Sequence, residues 1–528
     1  MHRALLISEV ARNITYCQSE KKALAALAQT CRAFSEPALD ALWRELDSLL
    51  PLLECLGNAI SRCPSFQSGQ KMYGLSRVLL PTDWIVFRKY ASKVVELKSI
   101  TPPKSSSSPH IDDDVFRALC WPPTFEPLFP KLQRLICPSI HSDILPFLRF
   151  ILGPSITSLI ISPMNTGYIG DCSLEASLPT LCPRLKHLEW KNFSDIDEDE
   201  DAGSAFISEA VTSLTELETL VAPLNGRALQ RLSSLPSLRS LDVTLMAPSV
   251  SEPHPALHEP AFPSVYRIRF TSYSLSDIAD FVRTGHFSLA VFSAQASGSN
   301  SESFDDLCTA VSSNVDNSAL KFLDIMAEDD HFSLSESTLK RKAFQHLLQF
   351  HNLVGVCVDT AHEIQLDNAS LLQMAESWPV LESLEINPRK GWGRRSCITL
   401  HGLRTMLKRL PKLTTLAIAI DAQAVKLHIT EDDQYGQYQI TRPFKLNVLD
   451  SRIGCNHAEV AAFLSDLFPV IDKRSDFSYF QFSTDVLEQM DDDWTKYCNR
   501  WNHVLQTLLV MNRVIKRKAL ISGSVWLV

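Results

Sequence analysis

One stretch of the chain, ITLHGLRTMLKRLPKLTTLAIAI at residues 398–420, contains the pattern that predicts the fold. Leu403 and Leu407 are four residues apart, as on one face of an α-helix. Pro411 ends this helical pattern, because proline lacks the backbone N–H that a helix interior needs but is tolerated where a strand begins. Leu416 then lies in a short apolar segment, which is typical of a buried strand. The stretch therefore predicts one helix followed by one strand.

The same arrangement recurs along the chain, in the segments FPKL, CPRL, LPSL, FPSV, WPVL and LPKL. The prolines that share this register are Pro130, Pro183, Pro236, Pro263, Pro379 and Pro411. Proline makes up about 5% of an average sequence, so about one match is expected by chance among a dozen apolar segments. The recurrence therefore indicates an internal repeat.

Repeated helix–strand units predict one type of architecture. The predicted units begin at Leu132, Ile156, Leu185, Leu217, Leu238, Val265, Leu289, Leu320, Leu353, Leu381, Leu413 and Leu446. Successive starts are 21 to 33 residues apart, which overlaps the range of about 20–29 residues in leucine-rich repeats. One helix and one strand cannot bury their own apolar faces, but stacked units can. We therefore expect an α/β fold, in which a curved parallel sheet is backed by helices.

These units resemble degenerate leucine-rich repeats, although the asparagine that usually follows the strand is missing from them. The resemblance implies a solenoid over residues 93–455, and the alternative is a conventional α/β domain with parallel strands. Residues 456–528 return to helical patterns and are predicted to form a C-terminal cap. This region contains a long amphipathic segment with Trp494, Trp501, Leu505 and Leu508 along it.

Before the repeats, residues 1–48 predict three short helices. Ser8 and Ser19 are candidate caps for the first two helices, and Pro37 is predicted to separate the second from the third. The apolar stripes of the three helices are Val10, Ile14 and Cys17; then Leu24, Leu27, Ala28 and Cys31; then Leu39, Leu42, Trp43 and Leu46. A unit this small has a weak core, so we expect it to pack on the rest of the chain or on a partner. Residues 49–92 are predicted to be a helical linker or N-terminal cap.

The segments ISEVARNI, LAALAQTCRAF and PALDALWREL resemble the F-box, the helical module that docks onto the Skp-type adaptor of SCF ubiquitin ligases. In sequence, these segments are most similar to the large fungal set of F-box proteins. They depart from the family at Ser8, where the family has proline. The resemblance implies an adaptor-binding set made up of Ile7, Val10, Ile14, Leu24, Leu27, Cys31, Leu42 and Trp43.

By this resemblance the chain is expected to be the substrate receptor of an SCF-type ubiquitin ligase. Its partners would be the Skp-type adaptor, the cullin ligase subunits and an unidentified protein target. Two alternatives stay open. The N-terminal helices could only cap a repeat scaffold without a ligase role, or the chain could be an α/β enzyme with an unrecognised site.

Composition and motifs narrow the classes of function. The net charge of −9 argues against broad nucleic-acid binding, and no apolar run approaches the length of a membrane span. We find none of the common motifs of hydrolases, P-loop proteins, zinc proteases or dinucleotide-binding enzymes. We therefore expect no catalytic residue, no cofactor and no metal. The odd number of cysteines, 13 without a CxxC pair, predicts reduced thiols in the cytoplasm or nucleus.

One basic segment stands out in this acidic chain. The sequence NPRKGWGRR at residues 387–395 contains Arg389, Lys390, Trp392, Arg394 and Arg395. Arginine can bind carboxylate or phosphate with two parallel hydrogen bonds, and tryptophan adds area for stacking. The segment is therefore a candidate binding site for an acidic or phosphorylated target. The alternative interpretation is a solvated loop.

Overall fold

A computed structural model of the chain divides into two compact units, Met1–Met246 and Ala247–Val528. The structure describes residues 7–64, 71–102, 109–124, 126–141, 144–164, 172–191, 201–246, 255–298, 301–327, 335–423, 439–440, 442, 444–468, 477–478 and 492–521.

The first unit combines short helices with a run of parallel strands. Its helices are α1 (Ser8–Tyr16), α2 (Lys21–Ala28), α3 (Arg32–Arg44), α4 (Leu50–Glu54), α5 (Pro81–Ala91), α6 (Asp113–Leu119), α7 (Leu145–Ile151), α8 (Cys172–Leu181), α9 (Asp201–Val211) and α10 (Gly226–Leu232). Its strands are β1 (Glu45–Leu46), β2 (Ile60–Pro64), β3 (Lys71–Leu75), β4 (Glu96–Leu97), β5 (His110–Ile111), β6 (Arg134–His141), β7 (Ser158–Met164), β8 (His187–Trp190), β9 (Thr219–Leu224) and β10 (Ser240–Leu245).

Within this unit the strands pair in the order β1-β4-β6-β7-β8-β9-β10, and every one of these pairs is parallel. A smaller sheet has the order β2-β3-β5 and includes an antiparallel pair, β2 with β3.

The second unit repeats this architecture. Its helices are α11 (Leu275–Val282), α12 (Ser301–Asn314), α13 (Arg341–Phe344), α14 (Asn368–Ser377), α15 (Leu400–Arg409), α16 (His457–Leu467) and α17 (Asp492–Ile521). Its strands are β11 (Arg267–Ser274), β12 (Val291–Gly298), β13 (Phe322–Ala327), β14 (Ser335–Lys340), β15 (Gly355–Asp359), β16 (His362–Gln365), β17 (Ser383–Ile386), β18 (Thr415–Ala417), β19 (Asp421–Ala422), β20 (Lys445–Asn447), β21 (Arg452–Ile453) and β22 (Phe477–Ser478).

The main strands of the second unit pair in parallel in the order β11-β12-β13-β15-β17-β18-β20-β22. Two small parallel pairs, β14 with β16 and β19 with β21, accompany them. Alternate residues of β11, β13 and β17 are buried, as in β13, where Leu323 and Ile325 are buried while Phe322 and Asp324 face outward. Each sheet therefore has one covered face and one open face.

The predicted α/β class is confirmed, because each unit contains parallel strands backed by helices such as α9 and α11. The predicted starts of the repeats also lie at a constant distance in sequence from the strands. Leu132 precedes the first residue of β6 by two positions, and Leu413 has the same relation to β18. The other predicted starts follow this rule except Leu446, which lies inside β20.

The structure differs from the predicted domain limits in three places. The parallel sheet begins with β1 at Glu45, inside the region predicted to be only helical. The predicted helical linker, residues 49–92, contains the strands β2 and β3 as well as α4 and α5. The strand β22 lies inside the segment that was predicted to be a helical cap. These strands have only two to five residues, which is too short for a periodic pattern to reveal.

The amphipathic C-terminal helix is confirmed as α17, which packs against α16. Trp501 and Leu508 are buried and Leu505 is half-buried, whereas the side chain of Trp494 lies outside the described residues. The indole nitrogen of Trp501 donates to the carbonyl oxygen of Ser451 over 2.9 Å. A small cleft of about 30 Å³ between β20, α16 and α17 is lined mainly by apolar side chains of this contact.

One strand is followed by an asparagine with a structural role that the sequence did not reveal. Asn387 directly follows β17, is fully buried and has a φ of 50°, which is in the left-handed region. Its side-chain oxygen accepts from the backbone N–H of Thr360 over 2.9 Å, and its side-chain nitrogen donates to the carbonyl oxygen of His362 over 2.9 Å. Asn387 therefore ties the turn between β15 and β16 to the end of β17.

Replacing Asn387 by Ala should lower the free energy of unfolding of the second unit by about 3 kcal/mol, because two buried backbone groups lose their partners and alanine tolerates this φ poorly. Hydrogen exchange at the amide of Thr360 should rise accordingly. The matched control is Asn317→Ala, which removes an exposed amide contact to Gln349 and should change stability by less than about 0.5 kcal/mol. Equal effects at both positions would contradict the role given to Asn387.

Candidate functional site

The first helix, α1, exposes an apolar face to solvent. The side chains of Ile7 and Ile14 are 50% and 41% exposed, and Val10 between them is half-buried. These residues are spaced i, i+3 and i+7 and so lie on one side of the helix. Ala11 and Thr15 lie on the buried side. The three exposed or half-buried residues were all predicted members of the adaptor-binding set.

The other predicted adaptor-binding residues are less accessible. Leu24 of α2 is buried, while Leu27, Cys31 and Leu42 are half-buried. Trp43 of α3 is also half-buried, and its ring stacks on the ring of Tyr90 in α5 with 4.6 Å between centroids. Leu24 and Trp43 therefore pack largely against their own chain.

The limits of α2 and α3 differ from the prediction. The break between them lies at residues 29–31, and Pro37 is inside α3 rather than between the helices. In the second turn of α3, Pro37 removes the helical hydrogen bond to the carbonyl of Ala33 and crowds that carbonyl, a cost that the burial of Phe34 and Ala38 offsets. Ser8 is the first residue of α1, and Lys21 begins α2, so neither Ser8 nor Ser19 caps its helix as predicted.

The helix α3 is fixed to the sheet of its unit. It leads directly into β1, where the backbone N–H of Lys98 donates to the carbonyl oxygen of Leu46 over 2.8 Å. The ammonium group of Lys93 contacts Glu36 and Asp40 of α3 at 2.7 and 2.5 Å. Burial opposes the charged form of Lys93, but the bonds to Asp40 and Glu36 outweigh this effect and raise its pKa. The N-terminal helices are therefore held in one orientation relative to the first strands.

The basic segment at residues 387–395 is built differently from the prediction. Arg389 pairs with Asp359, Arg394 with Glu363, and Arg395 with Asp421 at 2.8 Å. These carboxylates belong to β15, β16 and β19, so the arginines join neighbouring strands of their own chain. Because each arginine already has a carboxylate partner, the segment offers less free positive charge to an anionic target than its composition indicates.

Two residues of the segment that were predicted to bind a target are not available as surface. Trp392 is fully buried and its indole nitrogen donates to the carbonyl oxygen of Ile386 over 3.0 Å. The prediction that Trp392 offers area for stacking on a target is therefore wrong. The ammonium nitrogen of Lys390 is buried as well, without a hydrogen-bond partner among the described residues.

Asp450 holds this segment in place. Its carboxylate oxygens accept from the backbone N–H groups of Trp392 and Gly393 over 2.9 and 2.8 Å. Desolvation by burial raises the pKa of Asp450, although these two hydrogen bonds act in the opposite direction. Gly391 has a φ of 73°, and a Cβ atom there would lie 2.8 Å from Cγ of Asp450. The alternative interpretation, a solvated loop, holds only in part, because Arg389 and residues 393–395 are exposed whereas Gly391 and Trp392 are packed.

Replacing Asp450 by Ala should lower the free energy of unfolding by about 2 kcal/mol, because two backbone N–H groups lose their acceptor. Trp392 should become more accessible, which can be measured as increased quenching of its fluorescence by acrylamide. The control Asp280→Ala removes an exposed carboxylate of α11 that pairs with Arg283 and should change stability by less than about 0.5 kcal/mol. An unchanged stability in Asp450→Ala would show that Asp450 does not hold the turn.

Comparison with known proteins gives no family for this chain: no family model matches it, and no curated protein matches it. In the part of the chain that the structure describes, no helix has the length and apolar character that crossing a membrane requires. The described residues also contain no group of three or more His, Cys, Asp or Glu side chains arranged to hold a metal ion.

Proposed function

We propose that this chain is the substrate receptor of an SCF-type ubiquitin ligase. In this proposal α1, α2 and α3 form an F-box-like module that binds a Skp-type adaptor. The parallel strands form a leucine-rich-repeat-like solenoid whose open face binds a protein target. The single observation that carries the proposal is the apolar face of α1, where Ile7 and Ile14 are exposed in a module that resembles the F-box in sequence.

An exposed apolar face on a short N-terminal helix is costly to leave uncovered, because apolar area in water is unfavourable. Covering Ile7, Val10 and Ile14 with a partner helix would recover that free energy. The half-buried Leu27, Cys31 and Leu42 would supply the border of the contact. In this arrangement Leu24 and Trp43 contribute indirectly: they do not contact the adaptor but hold the three helices together and against α5.

The fixed attachment of α3 to β1 gives the proposed receptor a mechanical role. An adaptor bound to the module would be held in a fixed orientation relative to the strands of the first unit, and a target bound to the chain would be brought near the cullin subunits that carry the ubiquitin-transfer machinery. Raising the local concentration of a target lysine is sufficient for such catalysis. No residue of this chain would then take part in covalent chemistry.

The second candidate function is a repeat scaffold in which the N-terminal helices only cap the sheet. The observations that favour it are the stacking of Trp43 on Tyr90 and the ion pairs of Lys93 with α3, because both attach the module to its own chain. The exposed face of α1 supports the receptor proposal, because a pure cap has no use for apolar residues that point away from the core.

Replacing Ile14 by Asp in the full-length chain should weaken binding of a purified Skp-type adaptor at least about tenfold, equivalent to about 1.4 kcal/mol, because a charge would enter the apolar contact. Binding can be measured by isothermal titration calorimetry. The matched control is Ile85→Asp, since Ile85 is 69% exposed on α5. It should leave adaptor affinity unchanged.

Circular dichroism should show that both variants keep their secondary structure, because both isoleucines are solvent-exposed. The receptor role would be contradicted if the unmodified chain does not bind the adaptor. It would also be contradicted if Ile14→Asp and Ile85→Asp bind the adaptor equally well.

A further inference from the structure

In the second unit, the open face of the main sheet carries an aromatic ring, that of Phe322, which lies over a neighbouring strand. Phe322 of β13 is 45% exposed and is paired in register with Gly355 of β15. A Cβ atom at Gly355 would lie 2.8 Å from Cδ1 and 3.2 Å from Cε1 of Phe322. The ring therefore occupies the space that a side chain at residue 355 would take, and it remains half-exposed to solvent.

Two carboxylates lie on the same face of the sheet, in the row of residues next to this ring. Asp324 is two residues after Phe322, and the register Asp324–Cys357–Glu385 continues across β15 to β17. Adjacent strands are about 4.8 Å apart, so Asp324 and Glu385 begin about 10 Å from each other, on either side of Cys357. Asp359, the third carboxylate of this group, pairs with Arg389.

Asp324 and Glu385 have no cation at ion-pair distance among the described residues. The Glu385 carboxylate accepts from the hydroxyl of Ser383 over 3.2 Å, and the Asp324 carboxylate accepts from the thiol of Cys357. Burial raises the pKa of Asp324, and the nearby charges of Arg269 and Arg389 offset only part of this effect. Burial and, to a smaller extent, the three carboxylates also raise the pKa of the Cys357 thiol.

The middle of this face is thus an aromatic surface beside two carboxylates that have no ion pair among the described residues, with Arg269 and Arg389 acting on Asp324 only at longer range. An aromatic ring attracts a cation placed over it, and a carboxylate nearby adds a charge-assisted hydrogen bond. A lysine or arginine side chain meets both requirements, because its apolar stem can lie on the ring while its charged end reaches a carboxylate. An acidic or phosphorylated segment would instead be repelled by Asp324 and Glu385.

From this charge complementarity we propose that the face formed by Phe322, Asp324 and Glu385 binds a target segment through a lysine or arginine side chain. The inference rests on the proposed receptor function for the biological meaning of the target, but the surface can be tested separately. It assigns target recognition to the open face of the sheet rather than to the packed basic turn at residues 387–395.

The test is a selection of random twelve-residue peptides, displayed on phage, against the immobilised full-length chain. Lysine and arginine should be enriched about fivefold at one position over the starting library, the factor that a cation–π contact and one surface ion pair allow. The double variant Asp324→Asn/Glu385→Gln should lose this enrichment. Gly355→Ala, which forces the ring of Phe322 to move, should reduce it.

The matched control is Asp280→Asn/Glu376→Gln, which removes the same charge from the helices α11 and α14 of the same unit and should keep the enrichment. The experiment on the unmodified chain can overturn the inference by itself, either if the selected peptides show no preference for lysine or arginine or if no peptide is selected. A basic preference that survives in Asp324→Asn/Glu385→Gln would overturn it as well.

Adaptor binding is measured on the same protein preparations, so that the two proposals can fail independently. Enrichment of basic peptides in a chain that does not bind the adaptor would support this surface and contradict the receptor role. Adaptor binding without enrichment of basic peptides would support the receptor role and contradict the proposed binding surface.

Discussion

The structure depends on one constraint: a single strand with its helix cannot bury its own apolar residues, so each helix–strand repeat needs a neighbouring repeat on both sides. The parallel pairing of strands such as β12, β13 and β15 meets this need, because every strand contributes alternate buried residues to a continuous core. The same constraint explains why the unit Met1–Met246 contains helices before its first strand and why α16 and α17 lie near the C-terminal end of the other unit, on either side of the last strand, β22. Both regions supply apolar residues where the regular pattern stops.

The constraint also separates what the sequence could predict from what it could not. The apolar residues before the main strands, with a proline before six of them, are local signals, so the positions of β6 to β13, β15, β17 and β18 followed from the sequence alone, whereas β14 and β16 did not. The two-residue strands β1 and β4 have no periodicity of their own and exist because neighbouring strands extend the sheet to them. Pro37 was misleading because one lost hydrogen bond in the second turn of α3 is offset by the packing of Phe34 and Ala38.

The candidate sites show the same limit. The apolar face of α1 could be predicted, because its residues are close together in the sequence and follow helical spacing. The packed turn at residues 387–395 could not, since Asp359, Asp421 and Asp450 come from segments about 30 to 60 residues away. The pairing of Phe322 with Gly355 likewise depends on strand register, which the sequence does not specify. Charge composition alone therefore did not reveal that the arginines of this segment pair with carboxylates of their own chain.

The central claim is that the apolar face of α1 exists to be covered by another polypeptide. Hydrogen–deuterium exchange of the full-length chain, with and without a saturating amount of purified Skp-type adaptor, tests this claim most directly. The account predicts slower exchange of the α1 amides, Ser8–Tyr16, when the adaptor is present, and no change in the strands β11 to β18. Unchanged exchange in α1, or protection confined to the strands, would contradict it.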